Sequence, residues 1–71
     1  MNDAELMPLA ERLKTAIGAR DLSAAYGVLA PLSPKDIEPV MLYAGFTMIG
    51  WRSREFGEYV QRQLADACRR A

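Results

Sequence analysis

The 71-residue sequence is 51% hydrophobic and carries nine lysines and arginines against nine aspartates and glutamates, so its formal net charge is zero. That length accommodates one domain, 1–71, with no second core, and a balanced charge with a pI near 6.2 lacks the field on which nucleic-acid or anionic-membrane binding depends. Histidine is absent and Cys68 is the single cysteine, which excludes an intramolecular disulfide and a structural zinc cluster.

Helix formers dominate, β-branched residues are scarce, and no stretch alternates apolar with polar side chains, so the expected fold class is all-α. In the first segment Leu6, Leu9, Ala10, Leu13, Ala16 and Ile17 recur at three- and four-residue steps, with Glu11, Arg12, Lys14 and Arg20 mostly opposite, which predicts an amphipathic helix. Pro8 fits best at a first helical position, so regular helix is expected from there, and Gly18 marks its end. Asp21 stands where an N-cap belongs for a second helix through Leu22, Ala25, Val28 and Leu29, which Pro31 stops. Asp36 is the expected cap of a third helix with Ile37, Glu38 and Pro39 in its first turn, running to Gly50 or Trp51. Ser53 offers a fourth cap, followed by Arg54, Glu55, Phe56, Tyr59, Val60, Gln63, Leu64 and Ala67 at helical spacing as far as Arg69 or Arg70. Four helices with short links predict two antiparallel helix hairpins.

An offset of 34 residues aligns the two hairpins, pairing Met7 with Met41, Leu9 with Tyr43, Ala10 with Ala44 and Leu22 with Phe56. This is the period of tetratricopeptide repeats. In such a unit the second, fifth, ninth and twelfth places of each first helix face a concave groove. Those places hold Met7, Ala10, Lys14 and Ile17, then Met41, Ala44, Met48 and Trp51. The second set suits a partner's amphipathic helix, because methionine adapts its shape and tryptophan anchors. The same stripe also reads as core, although Tyr43, Phe46, Thr47 and Gly50 already supply a second apolar face. The candidate partner-binding residues are therefore Met41, Ala44, Met48 and Trp51, with Met7 and Ile17 beside them.

Nothing in the sequence suggests an enzyme. Glu38, Glu55 and Glu58 are the carboxylates open to acid–base work, but their positions suit dipole support and solvation. No glycine-rich phosphate cradle occurs, since Gly45 and Gly50 are isolated. The helix C-terminus around Cys68 opposes a thiolate, so it reads as inert. Arg52, Arg54, Arg62, Arg69 and Arg70 read as a solvated face. No cofactor or metal is expected. The first five residues carry two acids and no base, unlike a secretory signal, and the longest low-charge run, Pro39 to Trp51, falls short of the ~20 apolar residues of a membrane span. A cytoplasmic protein is expected.

The stretches Ala19-Arg20-Asp21-Leu22-Ser23-Ala24-Ala25, Asp36-Ile37-Glu38-Pro39-Val40-Met41-Leu42 and Gly45-Phe46-Thr47-Met48-Ile49-Gly50 resemble the second half of the small tetratricopeptide-like chaperones of bacterial type III secretion needle subunits. Ile37-Glu38-Pro39 is the most specific part, and the likeness extends from Ala19 to Ala71; the family tends to place a large aromatic where Val40 stands. The resemblance implies a virulence-associated cytoplasmic chaperone or co-chaperone that holds a needle subunit, together with a small helical co-chaperone, so that it does not polymerise before export. It implies a hetero-oligomer rather than a homodimer, and its carry-over reaches chiefly Met41, Ala44, Met48 and Trp51. The alternative is a self-associating helical adaptor or regulatory module in which the same stripe is a homodimer seam.

Overall fold

Asn2 opens the first helix: its side-chain oxygen accepts the Glu5 amide at 3.0 Å, and Asp3 and Glu5 place negative charge in the first turn, where the helix dipole favours it. In the computed structural model, which describes residues 2–47 and 56–71, α1 runs Asp3–Gly18, α2 Leu22–Leu29, α3 Pro34–Tyr43 and α4 Phe56–Arg70. The fold is all-α, and the described residues contain no strand. α1 thus begins before Pro8, which lies inside it. Pro8 removes one helical hydrogen bond, to the carbonyl of Ala4. Both residues are exposed, so water serves that carbonyl, and the cap at Asn2 offsets part of the loss.

The buried positions of α1 are Leu6, Ala10, Leu13 and Ala16, with Leu9 and Ile17 partly buried on its flanks. Every apolar position read from the spacing in this segment therefore faces the core. Gly18 ends the helix as expected, yet the residue in the left-handed region is Arg20, at φ 58°. The amides of Arg20 and Asp21 return to the carbonyls of Ile17 and Ala16, each at 2.9 Å, forming a Schellman turn. Asp21 then caps α2, its carboxylate accepting the Ala24 amide at 3.0 Å. One residue thus closes α1 and opens α2.

A side chain in the left-handed region costs about 1–2 kcal/mol, and glycine avoids that cost while giving up some unfolded-state restriction. Arg20→Gly is expected to raise the thermal midpoint by a few degrees, about 4–8 °C per kcal/mol for a domain of this size, as measured by circular dichroism melting.

α3 departs from the sequence expectation at both ends. Ser33 is its N-cap and Pro34 its first residue, with Asp36 in the first turn and Pro39 inside. At the other end Gly45 takes φ 97°, and the amides of Gly45 and Phe46 bond the carbonyls of Leu42 (3.0 Å) and Met41 (2.9 Å). This second Schellman turn stops the helix at Tyr43, well before Gly50. Asn2 with Pro8 and Ser33 with Pro39 occupy equivalent places in α1 and α3. In that correspondence Ala10 aligns with Met41, three residues off the 34-residue register. The burial agrees, since Ala10 is 1% and Met41 0% exposed.

Leu13, Met41 and Leu64, from α1, α3 and α4, are the largest fully buried side chains together with Val40. Val60, Leu64 and Cys68 recur at four-residue steps on the buried side of α4, which ends at Arg70 as expected. α1 packs against each of the other three helices. No described helix is long and apolar enough to cross a membrane.

The Tyr43 hydroxyl donates to the Asp3 carboxylate at 2.8 Å, tying the end of α3 to the start of α1. This hydrogen bond, with lesser contributions from desolvation and the Asp3 charge, raises the Tyr43 pKa above its ordinary 10.0. The bond's stabilisation is complete below that ordinary value and is lost as pH rises through the raised folded-state value. In urea titrations, wild type is expected to be more stable than Tyr43→Phe at neutral pH, with the difference vanishing in strong alkali.

Candidate functional site

The turn at Gly45 redirects the chain after α3, so that Ala44, Gly45, Phe46 and Thr47 form one wall of an open groove of about 560 Å³. Lys14, Ile17 and Gly18, in the last turns of α1, form another, and Gln63, Ala67 and Arg70 complete it from α4. The α4 residues lie at i, i+4 and i+7, a face adjoining the buried stripe of Val60, Leu64 and Cys68. The Tyr59 hydroxyl donates to the Thr47 carbonyl, fastening the segment after α3 to α4. A Cβ built on Gly18 meets no heavy atom within 4 Å, so the groove is open at that point.

The groove brings Ile17 and Ala44 together, with Lys14 beside them. Met41 lies in the core with no exposed surface. It is therefore corrected from a partner contact to a core residue: the helix register turns it into the core cluster that also holds Leu13 and Leu64, and in this conformation it offers nothing to a partner. Ala10, which the repeat register placed on the concave side, is likewise buried. Met7 is 45% exposed and sits ten residues before Ile17 on α1, roughly 15 Å along the axis at 1.5 Å per residue. Met48 and Trp51 lie outside the described residues, as do Ser53 and Glu55.

Sequence reasoning gave Gln63 and Ala67 no role beyond helical spacing and read Arg70 as solvated, and so missed the α4 wall. Phe46, expected as core, is partly buried against the core and also lines the groove.

A second depression lies on the other side of α4, lined by Arg20, Leu22, Arg62, Ala65, Asp66, Cys68 and Arg69. Arg69 pairs with Asp66, and Arg70 donates from Nε to the Asp66 carbonyl at 3.3 Å. Cys68 is 8% exposed. Among the described residues no buried polar side chain stands without a partner, and no three His, Cys, Asp or Glu side chains cluster as metal ligands. What the groove offers chemically is apolar contact between two basic edges. The chain matches no protein-family model, no curated protein and no solved structure.

Proposed function

We propose that this chain is a non-enzymatic cytoplasmic chaperone or co-chaperone that holds an amphipathic helix of a type III secretion needle-type subunit, with a small helical co-chaperone as second partner. The observation that carries the reading is the groove in which Ile17 of α1 and, from the turn after α3, Ala44 and Phe46 present apolar surface between α1 and α4. An amphipathic helix buries its apolar face in such a groove without any reacting group, and covering that face removes the surface through which the subunit polymerises. The resemblance around Ile37-Glu38-Pro39 supplies the client class.

The test is co-expression with a needle-type subunit and a small helical partner. A complex in which the subunit stays unpolymerised and co-elutes with the chain is expected. A subunit that polymerises and elutes alone overturns the proposal.

A self-associating adaptor is the second reading, favoured by a separate observation. Met7 and Leu42 are 45% and 48% exposed, and the Tyr43–Asp3 hydrogen bond draws the end of α3 toward the turn of α1 that precedes Met7. Sedimentation of the pure chain over a dilution series separates the two, since a homodimer dissociates on dilution without any partner.

A further inference from the structure

We infer that the groove selects a protein helix whose apolar face is edged by carboxylates; this rests on the groove being a helix-binding site. Among the described residues its lining contains two cations, Lys14 on α1 and Arg70 on α4, and no acid. Lys14 lies 3.3 Å from the Glu11 carboxylate, in a pair whose side chains are 48% and 66% exposed. A pair that open to solvent is weak and exchanges readily for another carboxylate. Arg70 has no carboxylate at ion-pair distance among the described residues; its one hydrogen bond goes to a backbone carbonyl.

The charge around the groove follows from where the helix ends fall. Acids occupy first turns: Asp3 and Glu5 in α1, Asp36 in α3, Glu58 in α4. Cations gather where the last turns of α1 and α4 meet the segment after α3, and Arg20 and Arg62 line the depression just behind. Arg69 and Asp66 line the same depression, and Asp21 follows Arg20. Each helix C-terminus contributes roughly half a negative charge, so the five cations stand against Glu11, Asp21, Asp66 and about one and a half charges from the three C-termini that meet here. Among the described residues this end keeps a small positive excess in a chain of zero net charge. Ile17, Ala44 and Ala67 between the two cations favour an amphipathic helix over a nucleic-acid backbone, which has no apolar face to bury. The partner helix lies with its apolar side on these residues and carboxylates toward Lys14 and Arg70.

The experiment titrates the full chain with three synthetic amphipathic helical peptides that share one apolar face and carry Glu, Gln or Lys along its edges, at low and high salt, with a DNA duplex as a fourth ligand. The Glu peptide is expected to bind about tenfold more tightly than the Gln peptide at low salt, from two exposed ion pairs, and to lose that advantage at high salt. The double variant Lys14→Glu, Arg70→Glu, with both changes at exposed side chains, reverses the order so that the Lys peptide binds best. Equal, salt-independent binding of all three peptides overturns the charge inference and leaves the groove reading intact. No binding by any peptide overturns both, and duplex binding tighter than the Glu peptide overturns the choice of a protein partner. Should the double variant fail to fold by circular dichroism, the peptide series on the wild-type chain decides.

Discussion

Leu13→Ala is expected to leave the chain largely unfolded in plain buffer. Leu13 is 0% exposed and sits on α1, the helix against which the other three pack. Truncating a buried leucine to alanine costs about 2–5 kcal/mol, the upper part of that range applying where the surroundings do not collapse into the cavity. A core of this size supplies only about 3–5 kcal/mol in all, so the two quantities are comparable and the folded population is lost or nearly lost. Leu13→Met keeps the volume and is expected to cost less than about 1.5 kcal/mol. Far-ultraviolet circular dichroism with urea titration reads both. A Leu13→Ala chain that retains a full cooperative transition would mean that α1 is not the element on which the core depends.

Ala44→Arg is expected to abolish partner binding while leaving the fold in place. Ala44 closes α3 with φ −79° and ψ −1°, a conformation open to any L-residue, and it is only partly buried on the groove wall. An arginine there puts bulk and a third charge where a partner's apolar face would rest. Affinity for an amphipathic helix is expected to fall at least about 100-fold, or roughly 2.7 kcal/mol, with less than about 1 kcal/mol lost from stability. Met41→Leu is the contrasting substitution. Met41 is wholly in the core, so its replacement is expected to cost under about 1.5 kcal/mol of stability and to change binding by less than about threefold. Titration with the acid-edged helical peptide and co-elution with the subunit measure the difference. If Met41→Leu weakened binding as strongly as Ala44→Arg, the helical register argued for α3 would be wrong.

The first half of the fold was largely legible from the residues. Leu6, Leu9, Ala10, Leu13, Ala16 and Ile17 announce the buried side of α1 by spacing alone, and Asp21 announces α2 because a capping carboxylate acts on amides within its own turn. What escaped involves prolines and glycines, whose effect depends on surroundings. Pro8 and Pro39 look like first-turn residues, since an interior proline sacrifices a hydrogen bond. In α1 the Asn2 cap holds the start and the freed carbonyl faces water, so the proline is tolerated. Gly45 looks like a small residue inside a long helix, and only the paired hydrogen bonds to Leu42 and Met41 reveal it as the left-handed residue of a turn.

That one turn also decided how much of the candidate site could be foreseen. The expected stripe of Met41, Ala44, Met48 and Trp51 assumed uninterrupted helix; the register of α3 turns Met41 inward, and ending the helix at Tyr43 carries Ala44 to the groove wall. Ile17 was foreseen because α1 continues regularly to Gly18. The α4 wall depends on which sides of two distant helices meet, and no local spacing encodes that meeting.

The central place of α1 bears on how the chain is made. During synthesis this helix leaves the ribosome ahead of everything that covers it. Leu6, Ala10, Leu13 and Ala16 gain α2 almost at once across the turn at Asp21, but their contacts with Val60 and Leu64 wait until α4 has emerged. In that interval the growing chain displays an uncovered apolar strip of the sort that draws nascent chains into wrong associations. The taut join between α1 and α2 shortens the exposure on one side, and the other side stays open until the last helix arrives.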